Sequence, residues 1–134
     1  MRFKNDRGAT IVEMALILPL FLIMVFGMIE FSVALYDKAM ITNASREGAR
    51  AGIVFRDPLL TDGEITTVVN NYLASRLITF GGSSTAVTLV TRGGTVTGSP
   101  LTVRVTYTYS FLVMPNFIGG GAIPMAAETV MRLE

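Results

Sequence analysis

The chain has 134 residues and a mass of 14.5 kDa, 51% of its residues are hydrophobic and 16% charged, and its net charge is +1. A soluble domain carries about 25% charged residues, so the balance is tilted toward a membrane or an assembly. Cysteine, histidine and tryptophan are absent, which excludes disulfide frameworks, thiol nucleophiles, thiolate metal sites, Ser–His–Asp hydrolases and zinc enzymes. What remains is a membrane-linked or assembly protein, or an enzyme working through carboxylates alone. No basic stripe marks a nucleic-acid partner.

The first element is an apolar run, residues 14–29 (MALILPLFLIMVFGMI), bounded by Glu13 and Glu30 and resumed by Phe31, Val33, Ala34 and Leu35. Crossing a bilayer takes roughly 20 apolar residues, so a transmembrane segment is expected over about 11–35. Arg2, Lys4 and Arg7 precede it against Asp6 alone, and short basic flanks stay cytoplasmic. The N-terminus is therefore expected in the cytoplasm, with everything beyond about Tyr36 across the membrane. Three readings compete for the segment. A secretory signal would be cut near Ser32-Val33-Ala34, but Glu30 and Phe31 and the long apolar region fit that poorly. A plain bitopic anchor is the second. The third is the N-terminus of type IV pilin-like proteins, in which a short basic leader ends in Gly and the following helix carries Glu at its fifth residue. Residues 1–8 form such a leader, ending in Arg7-Gly8, and Glu13 is fifth after the Gly8–Ala9 bond. Cleavage there would free an amine at Ala9 one turn from the Glu13 carboxylate, and in a bundle Glu13 could neutralise a neighbour's amine. An ionisable residue in a membrane helix is a functional candidate by default; an interfacial position with the carboxylate reaching for water is the alternative.

No breaker follows until Asp57-Pro58, so one helix is expected from Ala9 to Phe55, with Pro19 kinking it. Its outer half carries Ala44, Gly48 and Gly52 at every fourth residue, a small-residue face suited to close packing. That face either seats the helix on its own head or docks a partner subunit. Glu47 and Arg50 form an i,i+3 pair beside Arg46. Asn43-Ala44-Ser45 matches a glycosylation sequon but falls on a predicted helix.

These residues resemble the TadE-like family of pilin-related membrane proteins, which accompany the tight-adherence (Flp) pilus of bacteria. The resemblance rests on RGATIVEMALILPL, on Ile29-Glu30-Phe31 and on NASREGAR. The ending, residues 126–134, is in keeping with it. The resemblance implies a type IV pilin-like architecture, cutting by a prepilin peptidase after Gly8, and partners among other pilin-like subunits, the pilus assembly machinery and the membrane. Major Flp pilins are far shorter and usually have Tyr after the key Glu, where this chain has Met14; this points to a minor pilin or pseudopilin. The implied location is the bacterial inner membrane with a periplasmic head, or the outside of the cell within a pilus.

The remaining chain, residues 58–134, reads as an α+β head: one helix packed on a roughly three-stranded antiparallel sheet. Thr61-x-x-Glu64 is a capping box. Ile65, Val68, Val69, Tyr72, Leu73 and Leu77 follow at helical spacing, and Gly81-Gly82 is expected to end the helix. Residues 85–91 form a predicted strand with Val87 and Leu89 on one face, and Gly93-Gly94 and Gly98-Ser99-Pro100 mark loops. Residues 101–111 alternate strictly, with Leu101, Val103, Val105, Tyr107, Tyr109 and Phe111 on one face. Pro115 and residues 119–121 make a turn. Residues 123–133 form a third strand, with Met125, Ala127, Thr129, Met131 and Leu133 on one face and Glu128 and Arg132 on the other. Arg104 is expected to pair with Glu128 across strands. A head of this size has a marginal core, which packing on the long helix would complete.

No catalytic residue, cofactor, metal site or small-molecule substrate is expected. The glycine clusters lack phosphate-binding patterns, and Asp57, Asp62 and Glu64 lack calcium-loop spacing. With no enzyme site in the sequence, the family resemblance implies a non-enzymatic pseudopilin that promotes assembly or priming of a tight-adherence pilus. A structural filament subunit, or an uncleaved anchor whose head binds an envelope partner, are the rivals.

Overall fold

A computed structural model describes residues 6–79, 85–112 and 121–134, with side chains from residue 8 onward. Gly81-Gly82, Pro115 and residues 119 and 120 lie outside them. The elements are α1 (Asp6–Ile53), α2 (Asp62–Leu73), β1 (Val87–Arg92), β2 (Pro100–Ser110) and β3 (Ala122–Arg132). The fold is α+β, a long N-terminal helix carrying a small head of one helix and a three-stranded antiparallel sheet in the order β1-β2-β3.

α1 has 48 residues, about 72 Å at 1.5 Å per residue, and it runs unbroken through Pro19. It ends at Ile53, two residues before the expected Phe55 and four before Asp57-Pro58. There the Glu134 amide donates to the Ile53 carbonyl at 3.2 Å, supplying one of the donors that a helix end lacks.

α2 starts as its sequence dictates. The Thr61 hydroxyl accepts from the Glu64 amide, and the Glu64 carboxylate accepts from the Thr61 amide at 2.7 Å. Its inner face is Ile65, Val69 and Leu73. The helix stops at Leu73, so Leu77 lies beyond it and the expected end at Gly81-Gly82 comes too late. Ser75 adopts φ 63, and the Arg76 amide closes on the Leu73 carbonyl at 3.0 Å. Such a left-handed residue ends a helix whatever its identity, although glycine is its usual occupant.

β2 is the central strand, and its alternation is structural: Leu101, Val103, Val105, Tyr107 and Tyr109 are all buried. β3 turns Met125, Ala127, Thr129, Met131 and Leu133 inward, as its period predicts. β1 turns Thr88 and Val90 inward and leaves Val87 and Leu89 exposed. Arg104 and Glu128 are directly opposed in the β2–β3 register and both are exposed, but they do not approach to ion-pair distance. The ion pair found among the described residues is Arg92 Nε to Asp62 Oδ1 at 2.8 Å, joining β1 to the start of α2. Gly98, at φ +87, needs to be glycine, and its amide donates to the Leu133 carbonyl at 2.8 Å, tying the β1–β2 connection to the end of β3.

Candidate functional site

α1 divides into two halves. No residue from 8 to 29 is buried, whereas from Glu30 onward one stripe is buried against the head: Glu30, Ala34, Asp37, Ile41, Ala44, Ser45, Gly48, Ala49 and Gly52. Steps of three and four keep these residues on one face of a helix. From Ala9 to Ile29 the bare half has 21 residues, about 31 Å of helix, which matches a hydrocarbon core of about 30 Å. Residues 30–35, expected within the span, lie alongside the base of the head.

The expected processing and assembly residues sit together at the start of the bare half. Gly8 and Ala9 are both helical, and nothing lies within 4 Å of a Cβ built on Gly8. Glu13 is exposed one turn on from Ala9. The other group of candidate residues is about 50 Å farther along the helix. Ala44 is fully buried. A Cβ on Gly48 would lie 2.5 Å from Val69 Cγ2, and one on Gly52 would lie 2.5 Å from Leu101 Cδ2 and 2.6 Å from Ile65 Cδ1. The small-residue face thus lies against the chain's own head. Arg46, Glu47 and Arg50 point away from that contact and are exposed. Glu47 and Arg50 form no ion pair within 4 Å. Ser45 is buried and shares a 2.7 Å hydrogen bond with Thr129 of β3, so the sequon hydroxyl is engaged in packing.

Two carboxylates in the buried stripe escaped sequence reasoning. Glu30 accepts from the Leu112 amide at 2.7 Å, fastening the end of the β2 region to the point where the bare helix stops. Asp37 is fully buried and accepts from the Ile78 amide at 3.0 Å. Burial pushes its carboxyl above the usual carboxylate range, against the opposing effects of that amide and of the Tyr107 hydroxyl. Tyr109 is raised by burial first and then by the negative charges of Glu30 and Asp37. The signal that could have revealed the pair is phase: counting back in sevens from Ala44 places Asp37 and then Glu30 on the same stripe.

Among the described residues, no group of three or more acidic, histidine or cysteine side chains could hold a metal ion. Nothing in the stripe forms a nucleophile–base pair, and its polar groups join α1 to the head.

The family model for TadE-like proteins matches residues 8–50. The chain is TadE-like over this stretch. The match opens at Gly8, takes in the whole bare half of α1, and closes at Arg50 in the helix's last turn. No curated protein and no solved structure matches the chain. The match to the TadE-like family over residues 8–50 supports a pilin-like protein associated with the tight-adherence pilus. It is a family of structural or assembly proteins, within which an apolar N-terminal helix fits a membrane anchor.

Proposed function

We propose that this TadE-like protein is a minor pilin or pseudopilin that promotes the assembly or priming of a tight-adherence pilus after a prepilin peptidase cuts it between Gly8 and Ala9. The observation that carries the proposal is the division of α1. A bilayer's thickness of bare apolar helix begins at Gly8–Ala9, bears one carboxylate at Glu13, and ends where the head begins at Glu30. A lone carboxylate on such a span is unfavourable by a few kcal/mol in lipid. A free amine at Ala9, on the same or a neighbouring helix, would offset that cost. The basic flank of Arg2, Lys4 and Arg7 favours a cytoplasmic N-terminus, which puts the head in the periplasm when the protein sits in the inner membrane.

The experiment is the mass of the mature N-terminus in cells that carry the peptidase. The expected mature chain starts at Ala9. A start at Met1 would indicate a plain anchor, and a start at Leu35 a secretory signal. Gly8→Leu is the matching variant. A side chain at Gly8 meets open space, so the fold should survive while the precursor stays uncut. A Gly8→Leu protein processed like wild type would overturn the assignment.

A further inference from the structure

β2 runs down α1 in the opposite direction. Leu101 lies against Gly52 and Val103 against Gly48, and the Leu112 amide meets Glu30. One residue of strand advances about 3.4 Å and one of helix about 1.5 Å. Measured from Gly48 and Val103, Asp37 is about 17 Å down the helix, and Tyr107 and Tyr109 are about 14 and 20 Å down the strand. Asp37 is therefore level with the interval between the two tyrosines. Ala34, at about 21 Å, is level with Tyr109, so a small side chain faces a large one.

Asp37, Tyr107 and Tyr109 are all buried. Asp37 Oδ1 accepts from the Ile78 amide at 3.0 Å, and the Tyr107 hydroxyl faces the same carboxyl. Asp37 Oδ2 and the Tyr109 hydroxyl are both buried with no hydrogen-bond partner among the described residues, and they do not bond each other. Buried polar side-chain atoms are in the large majority bonded to protein or to ordered water. These two lie on facing elements at nearly one level, and Ala34 leaves room beside them. A bridge between a carboxyl oxygen and a phenol must both donate and accept, as water does. A cation would require the ionised carboxylate, which burial disfavours.

We infer that a single internal water sits between α1 and β2, bonded to Asp37 Oδ2 and to the Tyr109 hydroxyl above Ala34. Internal waters typically make two to four such bonds, and the Tyr107 hydroxyl is the nearest further partner at this level. The water completes the hydrogen bonding of Asp37. It also ties α1 to the central strand itself. The Ile78 and Leu112 amides do not do this, because Ile78 follows α2 and Leu112 lies beyond the end of β2.

The sign of one substitution tests the site in the full-length protein in detergent. Tyr109→Phe keeps the ring and its edge contact with Phe111 at 5.0 Å, so it removes the hydroxyl alone. Loss of a hydroxyl that is bonded lowers stability, whereas loss of one that is buried and unbonded raises it. The unfolding midpoint of Tyr109→Phe should fall by about 4 °C or more. The fall should persist in an Asp37→Asn background, where the amide can still bond water, and should shrink to less than half in an Asp37→Leu background, where the bridge has no second end. Oxygen-17 relaxation dispersion of the solvent, which counts long-lived internal waters, should find one fewer in the Asp37→Leu, Tyr109→Phe double variant than in wild type. An unchanged or raised midpoint for Tyr109→Phe would overturn the site. A fall of equal size in the Asp37→Leu background would place the hydroxyl's partner elsewhere and overturn it too. Coupling between the two residues with equal water counts would mean a direct Asp37–Tyr109 bond and no water.

Discussion

Adding one methyl group to three glycines should change stability in three different ways, because their surroundings differ. In a helix interior Ala is favoured over Gly by about 0.8–1 kcal/mol. Gly63, in the first turn of α2, has nothing within 4 Å of a built Cβ, so Gly63→Ala should realise much of that gain. At Gly48 the new Cβ would be 2.5 Å from Val69 Cγ2, with Val103 Cγ1 at 3.4 Å and Ile65 Cγ2 at 3.5 Å. Val69 is fully buried and β-branched, with little rotamer freedom in a helix, so α1 and α2 must separate. Overpacking of this kind costs about 1–3 kcal/mol, which exceeds the propensity gain over most of its range and predicts a net loss of up to about 2 kcal/mol. At Gly52 the neighbours are the ends of the Leu101 and Ile65 side chains, which can move, so the two effects should nearly cancel. The assay is thermal unfolding of the full-length protein in detergent, followed by circular dichroism. One kcal/mol shifts the midpoint of a domain this size by about 4–8 °C. The expected order of midpoints is Gly63→Ala above wild type, Gly52→Ala near it and Gly48→Ala below it. A Gly48→Ala protein as stable as Gly63→Ala would refute the close packing of α1 on α2.

Two other variants test the charges on α1. Glu13→Leu should improve insertion into membranes by removing a carboxylate from the span and should reduce co-purification with partner pilins; equal recovery with wild type would leave Glu13 a purely interfacial role. Asp37 has a folded pKa above its ordinary value of 3.8, so its proton favours the folded state. That contribution is complete below the unfolded pKa and is lost as pH rises through the folded one. Asp37→Asn should therefore be at least as stable as wild type at neutral pH, with the difference shrinking as pH falls; a stability difference independent of pH would sink this account.

The features legible in the sequence are those fixed by local chemistry. The span is apolar by composition, and α2 begins at Thr61 because the Thr61–Glu64 pair satisfies helix-end donors within four residues. β2 buries alternate residues because it is central and only one of its faces meets α1. The end of α2 was not legible, because Ala74-Ser75-Arg76 contains neither glycine nor proline and Leu77 keeps the helical spacing. β1 was ambiguous for a different reason. Val87 and Leu89 occupy one face and Val90 the other, so both faces carry apolar side chains. The choice is made by the antiparallel register with β2, which points Thr88 and Val90 toward α2.

Glu30 and Asp37 show why the long helix hid part of its interface. By composition, Glu30 reads as the end of an apolar run and Asp37 as the first polar residue beyond it, and both descriptions are correct. Neither shows that the stripe made by Ala44, Gly48 and Gly52 continues down the helix through them. Helical phase carries that information, and it becomes useful only once a partner for the stripe is known. The head supplies it by offering a backbone amide to each carboxylate, Leu112 to Glu30 and Ile78 to Asp37. Both amides come from segments that follow a regular element rather than from within one, so no periodic pattern announces them. Burying a carboxylate is unfavourable unless it is hydrogen-bonded. In exchange, the bonds fix where along α1 the head sits, which apolar contact alone would specify loosely because one leucine-sized step resembles the next. Glu30 sets the lower limit of the head and therefore the length of bare helix available to the membrane. A shift of the head by one turn, about 5.4 Å, would break both bonds and leave two carboxylates buried without partners.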